Sequence, residues 1–249
     1  MHSELYRKYF DGVTTQMQQV MDVEIDKIEE AAGWLAEEVK QGKIVHVYGT
    51  GGHNFMTACE LFTRAGSLLN YNIIMPGGTP CFESHPTTEN LPGLAARAFD
   101  YYRVEAGDLM LIINVNGINS TTIESALECR RRSIRSIGIS SRSFAENVEP
   151  DCANRHPSRQ NLHDLVDLHI DCHTPVGDMI FDLEKINRKT GASSTFPLTL
   201  IVQLINARTI EMLVEQGIIP DFYMSGNTKE GVPQGEELTA KWFSRIKHL

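Results

Sequence analysis

The sequence predicts an α/β protein built on a parallel sheet. Three observations predict it. Apolar runs of four to six residues alternate with helix-length segments from residue 44 onward, the pattern of βαβ units. The first run, in IVHVYGTGGHNF (44–55), breaks into Gly-Thr-Gly-Gly and then turns polar, as a buried strand, a glycine turn and a helix start do. The bulk composition, 41% hydrophobic and 22% charged over 249 residues, is that of a globular chain able to bury a core without staples.

Residues 4–41 predict two helices broken near Met21 to Glu24. Leu5, Tyr9, Val13, Met17 and Met21, then Ile28, Ala32, Leu35 and Val39, recur in steps of three and four. That face packs either on the chain's own core or as a seam against a second subunit. Strand one is 44–48. A helix over 54–69 follows, with Phe55, Cys59, Phe62, Gly66 and Leu69 on one face. Strand two, 72–75, leads into the loop MPGGTPCFESHPTTENLP and a helix over 94–103. The turn pair Gly107-Asp108 announces strand three, 109–114. The helix over 120–132 ends in Arg130, Arg131 and Arg132, where cations suit the negative end of the dipole. Strand four is 136–139, and 141–161 reads as a polar loop. A short helix over 162–166 precedes strand five, 167–171. Residues 173–193 read as irregular. A long helix over 195–216 is stopped by Gly217 and Pro220. The Gly-, Ser- and Asn-rich tail after Asp221 is expected to lie along the surface.

Composition also excludes function classes. The net charge is −9, and neutralising nucleic-acid phosphates needs clustered Lys and Arg. The five cysteines, Cys59, Cys81, Cys129, Cys152 and Cys172, form no CxxC, which fits free thiols in a reducing cytoplasm. The N-terminal MHSELYRKYF lacks the apolar run of a signal peptide. No run approaches the roughly 18 apolar residues of a membrane span.

Ligands of open parallel sheets bind beyond the carboxyl ends of the strands, where strand order reverses. Function is therefore expected in the loops after Tyr48, Met75, Asn114, Ser140 and Asp171. In the first loop, Gly49, Gly51 and Gly52 lead into His53 and Asn54. Asn54 stands at the third glycine of a dinucleotide fingerprint, and strand two ends in Met75-Pro76 rather than an acidic residue. No Gly-Lys-Ser/Thr closes the turn, so it is no P-loop either. The second loop, NVNGINSTTIESA (114–126), supplies amides from Asn114, Asn116 and Asn119, a turn at Gly117, and a helix opened by Ser120, Thr121 and Thr122. Hydroxyls and free N–H groups at a helix N-terminus bind a single phosphate without a lysine. Plain capping by Asn119 or Ser120 explains the same residues without a ligand.

The segments VYGTGGHN and GDLMLIINVNGINSTTIESALECRRRSIRSIGISS resemble the two loops of the sugar isomerase (SIS) domain. The closer resemblance is to a bacterial branch carrying the phosphoheptose isomerase label. It rests on GTGGHN (49–54), RHPS (155–158), PVGD (175–178) and TGASST (190–195), in order over nearly the whole chain. The resemblance implies a three-layer αβα sandwich around a five-stranded parallel sheet. It implies a phosphorylated sugar held by Gly49, Thr50, Gly51, Gly52, Asn54, Asn114, Asn116, Asn119, Ser120 and Thr121. It also implies a homodimer or higher oligomer, with helices 1–43 as the oligomerisation element ahead of a sugar-binding unit, 44–249. No cofactor, metal, nucleic-acid or membrane partner is expected. One departure stands out: the family usually has serines where Asn114 and Asn116 stand here.

Aldose–ketose isomerisation needs a base of near-neutral pKa and a proton donor. Glu60, in ACELFTRAG, resembles the family's catalytic Glu-Leu; an ion pair with Arg64 is the alternative. The family's final-helix histidine is missing, since no His occurs from Thr174 to Lys247. His53 and His156 are the replacement donors, with His85, flanked by Glu83 and Glu89, third; each also reads as a plain loop imidazole. Arg155 suits a phosphate or carboxylate. Ser193, Ser194 and Thr195 either cap the last helix or touch ligand. His169, Asp171 and His173 alternate as zinc ligands or as a solvated strand end do. The expected function is sugar-phosphate binding with isomerisation by a glutamate base. A non-catalytic sensor and an amino-sugar-phosphate lyase or etherase are the rivals.

Overall fold

The computed structural model describes residues 4–76 and 87–249. Five parallel strands run in the order β2-β1-β3-β4-β5. They are β1 Val45–Gly49, β2 Tyr71–Ile73, β3 Leu109–Ile113, β4 Arg135–Ser140 and β5 Leu168–Asp171. Every residue of β1 and β3 is buried, because helices cover both faces of the sheet. On one face lie α1 Glu4–Val23, α2 Ile25–Lys40, α3 Gly52–Cys59 and α8 Thr195–Glu215. There Val45, Val47, Leu111 and Ile113 meet Leu35, Phe55, Ile201 and Ile205. On the other lie α4 Leu94–Tyr102, α5 Ser120–Arg132 and α7 Leu162–Leu165, where Tyr48, Met110 and Ile112 meet Phe99, Ile123 and Leu165. Each such side chain contributes about 1.5–3 kcal/mol by leaving water. The three-layer αβα expectation is met.

The strand order decides where a ligand can enter. The chain leaves β1 for β2 on one side, and β3 returns to the other side of β1. The connections after β1 and β3 therefore diverge and open a crevice at the carboxyl ends of these two strands.

Several elements differ from the sequence expectation, each for a tertiary reason. The helix after the first glycine turn stops at Cys59 instead of running to residue 69. The backbone of 66–69 pairs instead with 221–223, through Gly66 N to Tyr223 O, Leu69 N to Asp221 O and Tyr223 N to Ser67 O. The tail is not a surface strap: it forms α9 Gly231–Trp242, and Leu238, Trp242 and Ile246 are buried against Leu69. The loop 141–161 contains α6 Arg142–Asn147, capped where Ser141 Oγ accepts from Phe144 N at 3.1 Å. Residues 173–193 contain a hairpin, β6 Met179–Leu183 with β7 Arg188–Ala192. Its strands are largely exposed, so they carry no clear alternation; Phe181 anchors them on Tyr9 of α1 at 5.6 Å. In α1 the buried positions are Val13, Gln16 and Val20, while Leu5 and Met21 are exposed. The buried stripe thus takes in Gln16, whose amide donates to Ser193 Oγ at 2.9 Å. By length and composition α8 could cross a membrane. It lies instead against α1, α2 and α3, with Ile201, Val202, Ile205 and Leu213 buried.

Candidate active site at the β1–β3 crevice

The two glycine turns meet at the crevice and are stitched together by buried polar groups. Thr50 N donates to Ile113 O at 3.0 Å, and the hydroxyls of Thr50 and Thr122 lie 2.6 Å apart. Thr50 O accepts from both Asn54 Nδ2 and Asn114 Nδ2, each at 2.9 Å. The other ends of these amides accept from Val115 N and Gly117 N. Asn54 and Asn114 are thus committed to holding one turn against the other. Asn116 Oδ1 accepts from Ile118 N at 3.3 Å. Gly49 is required by close approach, since a Cβ there would run into the backbone of Asn54 and Phe55.

The first turn already faces an internal acid. Gly51 has φ +87°, a conformation that favours glycine, and the Glu89 carboxyl lies directly against it. Glu89 belongs to the 3-10 turn Thr87–Asn90, which is pinned to α5 where Thr121 Oγ1 donates to Thr88 O at 2.5 Å. Burial pushes the Glu89 carboxyl up to about 7, against the opposing pull of His53. His53, the second residue of α3, is exposed at the same rim. Beneath lies a small pocket lined by Tyr48, Phe55, Met75, Thr88 and Leu94.

The second turn ends in an uncapped helix. Asn119 occupies the N-cap of α5 with extended backbone, yet its side chain makes no capping bond. Its Nδ2 donates to Asn154 O at 3.3 Å, and its Oδ1 is buried with no partner among the described residues. No described residue accepts from the N–H groups of Ser120, Thr121 or Thr122. These N–H groups, with the helix dipole behind them, suit an anion. His156 closes the far side: its N donates to Ile118 O at 2.8 Å, and its Nδ1 pairs with Ser158 Oγ at 2.8 Å.

The other expected residues lie elsewhere. Glu60 sits at the opposite end of α3 from the glycine turn, about 12 Å of helix rise away. Its Oε2 accepts from Arg64 Nε at 2.8 Å. Arg155 bonds Asn161 Oδ1 at 2.8 Å and the carbonyls of Ala145 and Val148, which ties down the 148–161 loop. The N-terminus of α8 holds an internal anion. Asp178 Oδ1 accepts from Ser193 N and Ser194 N at 2.9 and 2.7 Å, and its Oδ2 accepts from Ser194 Oγ at 2.8 Å. Thr195 is exposed beside it. His169 bonds Ser140 Oγ at 2.9 Å and is held down to about 3 by burial. His173 bonds Glu24 instead, at 3.2 Å. Among the described residues no cluster of His, Cys, Asp and Glu is placed to hold a metal ion. His85 and Glu83 lie outside the described residues.

The crevice therefore brings together Gly51, His53, Asn119, Ser120, Thr121 and His156 from the expected set. Sequence reasoning missed Glu89, taken only as a flank of His85, and missed Thr88, Asn90 and Asn154 altogether. A polar Thr-Thr-Glu-Asn run after a proline-rich loop was the available signal, but nothing local says that it folds over the glycine turn.

A family model for the SIS domain matches residues 8–141, from α1 through β4 and across both glycine turns. The chain belongs to the SIS domain family. Relatives of this SIS protein include a UPF0309 protein of Caldanaerobacter subterraneus subsp. tengcongensis, 28% identical over 97% of this chain and 98% of that one. Another, from Streptomyces griseus, is 29% identical over 98% of this chain and 97% of that one. Solved structures that share its fold include the following two. A phosphoheptose isomerase from Francisella tularensis superposes with TM-score 0.53 at 13% identity, over 83% of this chain and 98% of that one. The Vibrio vulnificus NanR protein complexed with ManNAc-6P superposes with TM-score 0.51 at 15% identity, over 99% and 71%.

Proposed function

We propose that this SIS-domain protein binds a phosphorylated sugar in the β1–β3 crevice and isomerises it, with Glu89 as the proton-transferring group. The observation that carries this reading is the placement of a near-neutral carboxyl over Gly51, at the same rim as the uncapped start of α5. The phosphate would accept from the N–H groups of Ser120, Thr121 and Thr122, as anions do at helix N-termini. Glu89, whose carboxyl burial raises to about 7, would in its ionised form take a proton from the carbon beside the carbonyl and return it to the neighbouring carbon. His53 and His156 flank the crevice and would serve the enediol oxygens. The phosphosugar isomerase fold of the Francisella tularensis protein supports the reaction class. Glu60, paired with Arg64, is the second carboxylate to test.

A sensor on the same pocket is the second reading. It is favoured by the absence of any histidine on α8 and by the fold shared with NanR, which was solved with ManNAc-6P. Incubation of aldose and ketose phosphates in heavy water separates the two. Deuterium entering the sugar carbon marks an isomerase, and Glu89→Gln should slow exchange by about 10²–10⁴-fold. Tight binding with no exchange in the wild-type chain would leave the sensor. Loss of a substituent would mark elimination. The homo-oligomer expectation rests on α1, whose Tyr6 and Phe10 are each 68% exposed; sedimentation velocity tests it.

A further inference from the structure

Asn116 stands directly before Gly117, and the sequence contains no other Asn-Gly pair. Such a pair carries its own covalent chemistry. The Gly117 nitrogen, once base has taken its proton, can attack the side-chain carbonyl carbon of Asn116. A bond forms between that nitrogen and Cγ, the bond from Cγ to Nδ2 breaks, and the amide leaves as ammonia with the proton. Water then opens either carbon–nitrogen bond of the cyclic imide, giving aspartate or isoaspartate. No carbon is oxidised or reduced, and water is the reactant drawn from outside. Glycine after asparagine hinders the attack least, because it has no Cβ and its backbone turns readily.

The fold leaves the electrophile in place and engages the nucleophile. Asn116 is half-buried, within reach of water. Its Oδ1 accepts from Ile118 N at 3.3 Å, the two-residue reach of an Asx turn, which bends the side-chain carbonyl back over the backbone that follows it. The Gly117 N–H donates to Asn114 Oδ1 at 2.8 Å. Asn114 is itself fixed, because it is buried and its Nδ2 donates to Thr50 O at 2.9 Å. Both ends of its amide meet backbone groups, so its orientation has no alternative. Leu162 N holds the next peptide by donating to Gly117 O at 2.8 Å. Cyclisation therefore has to break the bond to Asn114 and leave a buried amide oxygen without its donor. We propose that Asn116-Gly117 is a latent deamidation site in the second glycine turn, and that the Asn114 side chain suppresses it by occupying the Gly117 N–H. This protection does not depend on what the crevice binds.

The test is incubation of the full chain, Asn114→Ala and Asn54→Ala in mildly alkaline buffer, at a temperature below all three melting transitions. Peptide mapping by mass spectrometry then measures aspartate and isoaspartate at residue 116. Asn54 is the matched control: its Nδ2 also donates to Thr50 O, but its Oδ1 accepts from Val115 N and not from Gly117 N. Asn114→Ala should convert about tenfold faster than wild type, the factor carried by one hydrogen bond to a group otherwise left unpaired, while Asn54→Ala stays within about twofold of wild type. The urea-unfolded wild-type chain should convert fastest. A second readout needs no variant. In the folded wild-type chain the Gly117 N–H should resist hydrogen exchange, because exchange and cyclisation wait for the same bond to open. Conversion of the folded wild-type chain as fast as the unfolded one would overturn the proposal, and so would an unprotected Gly117 N–H. Equal acceleration by both substitutions would show general loosening of the turn and would remove the role assigned to Asn114, as would an Asn114→Ala chain no faster than wild type.

Discussion

The carboxyl of Glu89 rests on the bare α-carbon of Gly51, so closely that any side chain at position 51 would overlap it. Gly51 is therefore a seat for an acid as well as a turn residue. Gly51→Ala combines a positive φ with that overlap. It is expected to destabilise the fold by about 1–3 kcal/mol and to displace Glu89. Urea denaturation gives the first quantity. A sugar-phosphate exchange assay gives the second, and unchanged exchange in this variant would remove Glu89 from the mechanism.

Glu89 also predicts a pH dependence. Its folded pKa of about 7 lies above the ordinary carboxylate value of 4.5 because burial disfavours the charge. Between these values the folded state binds more protons than the unfolded state, so stability falls as pH rises through the window. Exchange activity should instead rise through pH 7 as the base ionises. Glu89→Gln should melt higher than wild type at pH 8, match it near pH 4, and lose the activity limb. A melting difference independent of pH would contradict the assignment.

Asn114 is predicted to be a brace and not a ligand contact. Its amide joins Thr50 O to Gly117 N, and its exposure is 0%. Asn114→Ser would shorten the side chain out of reach of one partner or both. A loss of about 1–3 kcal/mol in stability is expected. Affinity for inorganic phosphate, measured well below the melting temperature, should change little.

Asp178 fills the start of α8. Asp178→Ala strips acceptors from Ser193 N, Ser194 N and Ser194 Oγ. The expected cost is about 2 kcal/mol, the upper range for a helix cap, with sugar-phosphate binding retained. If binding vanished while the fold survived, the α8 serines would belong to the ligand site after all.

Glu24, 2% exposed between α1 and α2, governs acid stability. Burial opposes its charge, but hydrogen bonds from His173, Lys27 and the Asp171 N–H outweigh burial and hold the carboxyl down to about 2. Its stabilisation is complete above the unfolded value of about 4.5 and is lost as pH falls from there towards 2. Glu24→Ala, which leaves His173 and Lys27 facing a gap, should cost about 3 kcal/mol at pH 7 and little at pH 2. Melting curves across pH check both.

Much of the fold was legible. Strand positions came within a residue or two because buried parallel strands read as short apolar runs, and α5, Ser120–Arg132, was read to the residue from its hydroxyl start and arginine end. Where reading failed, the deciding interaction was distant in sequence. Residues 66–69 left the helical pattern to pair with 221–223, and Phe181 fixed a hairpin by reaching Tyr9. The two glycine loops were legible because glycine and hydroxyl chemistry is local. The acid facing them was not.

Local chemistry alone settled the α/β class, the two glycine turns and the polar start of α5, since strand length, turn geometry and helix capping are properties of neighbouring residues. Only the folded chain decided that Glu89 sits on Gly51, that Asp178 fills one helix start, and that Asn119 leaves another open. Each of these depends on which groups meet across the sheet edge. Burial and the absence of a partner, which shift a pKa or free an N–H, exist only once those groups have met.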